Sequence, residues 1–263
     1  MSSKWDFYQC TVNGKPASIY LDLGLHKSAP DPKKPLLLIV WLDLRFPDAE
    51  HRMSTDAEFD ALGGIEDRLM DGFKAAYGST YAGRITTDGR REFYFYSATS
   101  NQIKALALSA LAPFPGYTVK AWSQPDAAWE QYLSVLYPKG PSLRWMKDKG
   151  VVEALARAGD TPAIARAVLH CSYFSSDAKR TAFTQSIENA GFRIGKLLDN
   201  RKAGDSHPFG VVYQLTQTPT LAVMSETTAL LSRLSEKNAG QYDGWECAAA
   251  GPNAKPWWRF WRS

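Results

Sequence analysis

A chain of 263 residues, 44% hydrophobic and 22% charged, has an ordinary globular composition with room for two modest domains, and it lies outside the disordered class. The formal charge of +4 is small and uneven: residues 1–143 carry 15 basic and 16 acidic side chains, residues 144–263 carry 16 and 11. Three of those cations, Lys255, Arg259 and Arg262, lie at the extreme C-terminal end, so a nucleic-acid-binding stripe is not expected.

The N-terminus lacks a basic-then-apolar leader, and no apolar run approaches the ~20 residues of a membrane span, so the cytoplasm is the expected compartment. Cys10, Cys171 and Cys247 are an odd set without close spacing, which shows neither a zinc knuckle nor a redox pair. Cys171 and Cys247 fall in predicted strands, where a free cysteine acts as a small buried hydrophobe.

The chain opens with two strand-like runs, Trp5–Val12 and Ala17–Leu23, around the turn pair Asn13-Gly14; Pro16 predicts an edge position for the second. After the Pro-rich segment from Pro30 to Pro35, Leu36–Leu42 reads as a buried central strand. Thr55-Asp56-Ala57-Glu58 has the form of a capping box, followed by Phe59, Leu62, Ile65, Leu69, Phe73 and Ala76 on one helical face. Gly63-Gly64 within that helix reads as a close-packing point. Tyr81–Thr87 and Arg91–Ser97 flank the tight-turn pair Asp88-Gly89, and the alternation Phe93-Tyr94-Phe95-Tyr96 makes both sheet faces aromatic. A short helix near Gln102–Leu111 and a strand at Tyr117–Trp122 complete the first unit, and Trp129–Pro141 reads as a connector.

A helix over Leu143–Ala158 follows, and then the same order returns. Ile164–Phe174 is a strand, and Asp177–Ala190 a helix with Phe183, Ile187 and Ala190 inward. Phe192–Leu198 and Phe209–Thr216 are strands. Ser225–Asn238 is a helix with Leu230, Leu231 and Leu234 inward, and Tyr242–Ala249 is the last strand. The predicted fold is α+β: two tandem ferredoxin-like (βαββαβ) units with an N-terminal β-hairpin. The predicted boundaries are 1–142, 143–250 and a basic Trp-rich tail at 251–263.

No G-x-S-x-G elbow, G-x-G-x-x-G loop or H-E-x-x-H helix occurs, so no catalytic, cofactor-binding or metal residue is assigned. His26, His51 and His207 are expected in solvated loops. His170, mid-strand between Leu169 and Cys171, is expected to be a hydrogen-bonded packing residue rather than a base or ligand. Asp22, Asp43, Glu66 and Asp67 have no metal-selecting spacing and are expected to be solvated or ion-paired, Asp43 with Arg45 or a helix terminus. Arg90-Arg91 beside the Phe/Tyr strand favours hairpin packing over base stacking.

Two segments are candidate partner-binding sites. Tyr242-Asp243-Gly244-Trp245-Glu246 places large aromatics, acids and a glycine directly after a helix end. Core packing beneath the helix and a recognition patch are both open readings. Trp257, Trp258, Arg259 and Trp261 interleave aromatics with cations in the tail, which suits docking on the protein's own body, a partner, or weak contact with a membrane surface.

His170, Phe174, Ala190-Gly191-Phe192, Leu231-x-x-Leu234-x-Glu236 and Tyr242-Asp243-Gly244-Trp245 resemble the regulator of ribonuclease E activity B family, over roughly Thr161 to Ala250. That resemblance implies a small bacterial protein that binds and inhibits an RNA-degrading endonuclease. Trp5, the Asp22 strand, Ala29-Pro30, the Glu66 helix and the Gly89-Arg90 turn into Phe93-Tyr94-Phe95-Tyr96 resemble the family known as domain of unknown function 695, which brings no chemistry with it. The regulator family's familiar members are acidic and end in an acidic tail, whereas this chain ends in a basic one, and surface charge selects partners. The expected role is a non-enzymatic protein-binding regulator or inhibitor. An enzyme with a site in the inter-domain groove and a peripheral membrane protein held by its tail are the alternatives.

Overall fold

The computed structural model describes residues 4–199, 206–252 and 254. It divides into two compact units, residues 1–142 and 143–263. Both are α+β, as the sequence predicts, and each has a wholly antiparallel sheet.

The first unit contains β1 (Trp5–Val12), β2 (Lys15–Asp22), β3 (Leu36–Asp43), α1 (Phe59–Tyr77), β4 (Thr80–Thr87), β5 (Arg90–Ser97), α2 (Ile103–Leu111) and β6 (Val119–Pro125). Its strand order is β1-β2-β4-β5-β3-β6, so the hairpin is no appendage: it extends the sheet to six strands. β2 is therefore interior and β1 forms the edge. Pro16 is tolerated because pairing of β2 with β4 begins only at Ala17, leaving its missing N–H outside that ladder.

One face of this sheet packs on α1 and α2. Leu38, Val40 and Leu42 of β3 and Phe93 and Phe95 of β5 meet Leu62, Ile65, Leu69 and Phe73 of α1. Phe59, expected inward, is 73% exposed, and Ala76 also faces out. The capping box is replaced by a tie to the preceding loop. The Thr55 hydroxyl donates to the Phe46 carbonyl (2.8 Å), while the buried Glu58 carboxylate accepts from the Arg45 N–H (3.0 Å) and the Tyr117 hydroxyl (3.1 Å). A single 3-10 turn, Asp56–Glu58, then leads into α1. Of the glycine pair only Gly64 is a close-packing point, where a Cβ would sit 2.7 Å from the Phe114 ring.

The opposite face of the same sheet is covered by the segment read from sequence as a connector. Trp129 stacks on Tyr96 with ring centres 3.9 Å apart and planes 7° from parallel. Trp129, Tyr132 and Leu136 are all buried, at i, i+3, i+7 spacing, which is helical periodicity. The Tyr132 hydroxyl donates to the Asp22 carbonyl and the Tyr8 hydroxyl to the Leu136 carbonyl, at 2.8 and 2.9 Å.

The second unit contains most of α3 (Gly140–Arg157), then β7 (Arg166–Phe174), α4 (Asp177–Asn189), β8 (Arg193–Asp199), β9 (Phe209–Gln217), α5 (Leu221–Lys237) and β10 (Gly240–Glu246). Its strand order is β10-β7-β9-β8. α5 starts four residues before the expected Ser225, because the Thr220 side chain caps it by accepting from the Val223 N–H. Phe174, Phe183, Ile187, Phe192, Val211, Tyr213 and Leu231 form the core beneath α4 and α5. Leu230 and Leu234 are half-buried, and Ala190 faces solvent. α3 adds a third helix, through Leu155 packed with Val168, Met224 and Trp245. Among the described residues, no helix is long and apolar enough to cross a membrane.

Candidate functional site

β10 explains how one short run both builds the core and presents a surface. Tyr242 and Trp245 are three residues apart, so strict strand alternation would send them to opposite faces. A bulge prevents this: Tyr242 pairs with Ser172, Gly244 with Cys171 and Trp245 with His170, leaving Asp243 as the inserted residue. Gly244 carries a φ of 151°, which L side chains rarely adopt. Both aromatics consequently lie on the helical face, opposite the buried Ser172 and His170.

On that inner face the Tyr242 hydroxyl lies 2.9 Å from His170 Nδ1. The imidazole is 1% exposed and stacks on Tyr213, and its Nε2 has no hydrogen-bond partner. Burial pushes the His170 pKa down to about 3, so the ring is neutral near pH 7. A ring enclosed in this way is placed as a packing residue of the inner face. Trp245 donates from Nε1 to Asp148 Oδ1 (2.8 Å), and Thr228 Oγ1 donates to Asp148 Oδ2 (2.6 Å). The buried carboxylate thus joins α3, α5 and β10. Burial raises its pKa against the lowering effect of these two hydrogen bonds and of the charges on Arg144 and Lys147.

Asp148 and Thr228 are absent from the sequence reading. Between Lys147 and Lys149, Asp148 looks like a surface residue. Its helical spacing to Val151, Val152 and Leu155 was the available signal.

The outward half of the run faces solvent. Asp243 and Glu246 are exposed, and Gly244 leaves the sheet bare beside Cys171. Leu169, Cys171, Val212, Asp243, Gly244 and Glu246 help line a shallow, open hollow of ≈290 Å³. The Cys171 thiol is pushed up by burial, and the negative charges of Asp243 and Glu246 add to that shift, while a hydrogen bond with Tyr173 opposes it. A thiol held protonated is a poor nucleophile. Across the sheet, Arg193 and Lys196 of β8 project from the same face, because they pair with Gln214 and Val212, the neighbours of Leu169 and Cys171. No helix covers this face among the described residues.

The remaining polar candidates are placed one by one. His26 is exposed and stacks on Tyr137 at 3.9 Å, His51 Nε2 lies 3.6 Å from Glu50 Oε1, and His207 meets the Ser206 hydroxyl at 2.8 Å. Asp22 caps the turn after β2 by accepting from the Gly24 N–H, and also accepts from the Lys4 N–H. Glu66 ion-pairs with Arg84 at 2.6 Å and accepts from the Tyr81 hydroxyl. Asp67 is exposed.

Asp43 corrects the expectation. It accepts from the Thr118 hydroxyl (2.7 Å) and the Trp41 indole (3.3 Å), while Arg45 turns to the Pro115 carbonyl. Arg90 pairs with Glu92 over Trp41, and Arg91 is buried against the Thr86 hydroxyl. Among the described residues no three His, Cys, Asp or Glu side chains are grouped to hold a metal ion, and Cys10, Cys171 and Cys247 are unpaired. The tail candidates Trp257, Trp258, Arg259 and Trp261 lie outside the described residues.

Residues 3–137 match the model of a family of unknown function, DUF695, and residues 145–247 match that of Regulator of ribonuclease activity B. No curated protein matches the chain. Among solved structures, one titled as the crystal structure of an unknown protein from Galdieria sulphuraria is similar at 14% identity, covering 81% of this chain and 98% of that one with a TM-score of 0.22. Since the first match spans just over half its length, the chain belongs to the DUF695 family, and most of its second half matches the model of Regulator of ribonuclease activity B.

Proposed function

We propose that this protein is a non-enzymatic, protein-binding regulator that restrains a ribonuclease through the uncovered sheet face of its second unit. The observation that carries the reading is the match of residues 145–247 to Regulator of ribonuclease activity B. The place of binding is inferred from the half-exposed residues Leu169, Cys171, Tyr173 and Val212, which no helix covers among the described residues. In this reading Tyr242 and Trp245 anchor β10 from within, and Asp243, Gly244 and Glu246 meet the partner. A sheet face with an apolar centre and charged margins is a familiar interface composition.

Both units are read as ferredoxin-like. The strand orders β4-β5-β3-β6 and β10-β7-β9-β8, each with its two helices on one face, support that reading. The domain limits are read as 1–142 and 143–250, with the tail as an independent contact. Three unpaired cysteines suit a reducing compartment, in line with action in the cytoplasm.

The test uses the purified full chain and an RNA-degrading endonuclease from the same host. Wild-type protein is expected to bind it and slow cleavage of a model RNA. Asp243→Lys/Glu246→Lys is expected to weaken both effects at least 10-fold with circular dichroism unchanged. Cleavage of RNA by the purified chain itself, or equal binding by the variant, would overturn the reading.

A further inference from the structure

The uncovered face of the four-stranded sheet is ordered in rows across its strands. One row runs from Asp243 and Gly244 through Cys171 and Val212 to Gly195 and Lys196. The next runs from Glu246 through Leu169 and Gln214 to Arg193. Both rows therefore begin with an acid on β10 and end with a base on β8. The two edge strands are also bulged in the same row, between Tyr242 and Gly244 on one side and Ile194 and Lys196 on the other. All four charged side chains are exposed and, among the described residues, none makes an ion pair.

A surface with acids along one margin, bases along the other and an uncharged strip between them is complementary to itself under one operation. A two-fold axis parallel to the strands, passing between β7 and β9, lays each row on its own copy and exchanges the margins. Asp243 then faces Lys196 of the second copy, and Glu246 faces Arg193, with each pair formed twice. An in-plane axis perpendicular to the strands would instead set acid on acid. We propose that this face pairs with the same face of a second copy of the chain about the strand-parallel axis.

The dimensions set the strength. Four strands at about 4.8 Å spacing and about 25 Å of strand length offer roughly 450 Å² per copy, so about 900 Å² in all. That lies below the ~1,200 Å² of stable complexes, which makes the pair weak and reversible. Exposed charges at the margins make it salt-sensitive. Packed sheets stand ~10 Å apart, so the two Cys171 residues near the axis face each other at more than the ~7 Å a disulfide tolerates. Cys171 is shielded by pairing rather than oxidised. Where the regulator reading above holds, self-pairing also hides the partner surface at high protein concentration; the pairing itself does not depend on that reading.

Sedimentation velocity of the full chain at several concentrations, in low and high salt, tests this. Wild type is expected to show a monomer–dimer equilibrium weakened by salt, with alkylation of Cys171 slowed as dimer forms. Asp243→Lys/Glu246→Lys is expected to weaken association at least 10-fold, and so is Arg193→Glu/Lys196→Glu. Combining all four changes restores it to within about threefold of wild type, and an equimolar mixture of the two half-reversed proteins associates more tightly than either alone. A wild type that stays monomeric, a dimer indifferent to the reversals, or a four-fold variant that stays monomeric would each overturn the proposal. A monomeric wild type whose ribonuclease binding still falls with Glu246→Lys would leave the function standing and remove the self-pairing alone.

Discussion

The two sheets are built from similar element orders and are covered differently. In the first unit both faces carry cover, α1 and α2 over one side and Trp129, Tyr132 and Leu136 over part of the other. In the second, helices cover one face, and the other keeps a half-exposed strip beside exposed charges. The difference is written into the central strands. β5 reads Phe-Tyr-Phe-Tyr and is buried on both sides, whereas β7 alternates buried and half-exposed residues along its length. A doubly covered sheet spends its apolar residues on stability, and a singly covered one keeps some for contact.

The largest expected effect strikes the doubly covered sheet. Trp129→Ala removes a fully stacked ring and should destabilise the protein by about 3–5 kcal/mol. Val212→Ala on the open face should cost no more than about 1 kcal/mol. Urea denaturation of the two variants checks the comparison. Equal losses would mean that the second sheet is also covered.

Next in size is the buried carboxylate of the second unit. Asp148→Ala strands the Trp245 indole N–H and the Thr228 hydroxyl and should cost about 2–4 kcal/mol. Asp148→Asn keeps an acceptor for Trp245 and, because burial already disfavours the charge, should cost under about 1 kcal/mol. Thermal melting separates the two. Similar losses would show that the charge itself matters.

The pH dependence follows from His170. Its folded pKa of about 3 lies below the ~6.5 of the unfolded chain, so between those values the unfolded state binds the extra proton. Stability therefore falls as pH drops below about 6.5, by at most about 1.4 kcal/mol per pH unit from this residue. Asp148 acts with the opposite sign. Its raised pKa lets the folded state hold a proton more firmly, so its contribution is lost as pH rises from ~3.8 through the folded value. Denaturation midpoints measured from pH 7 to 4.5 should decline for wild type and less steeply for His170→Gln.

The smallest effect concerns Phe59. At 73% exposure, Phe59→Ser should change stability by less than about 0.5 kcal/mol. A loss above 2 kcal/mol would restore the inward position that its helical spacing suggested.

These residues also show what could be read from the chain alone. Strand and helix identities were legible because hydrophobic period and turn pairs such as Asn13-Gly14 and Asp88-Gly89 are local signals. The covering of the first sheet was not, because Pro138 to Pro141 marked a break and hid the helical spacing of Trp129, Tyr132 and Leu136 just before it. The Tyr-Asp-Gly-Trp run was legible as a special segment, but not its division. Only the bulge at Asp243, a property of pairing with β7, decides that Tyr242 and Trp245 face inward while Asp243 and Glu246 face out. The basic margin of Arg193 and Lys196 depends in the same way on the register with β9, which no spacing within β8 encodes.

Hydrogen exchange of the full chain, alone and with a saturating amount of the proposed partner, an RNA-degrading endonuclease from the same host, tests the central claim most directly. Among strands β7–β10 the account predicts new protection in the edge strand segments 193–199 and 240–246, where a partner on the open face limits solvent access to weakly protected amides. Helices α4 and α5, on the covered side, should exchange as before. Protection confined to α4 and α5, with both edge strands unchanged, would contradict it.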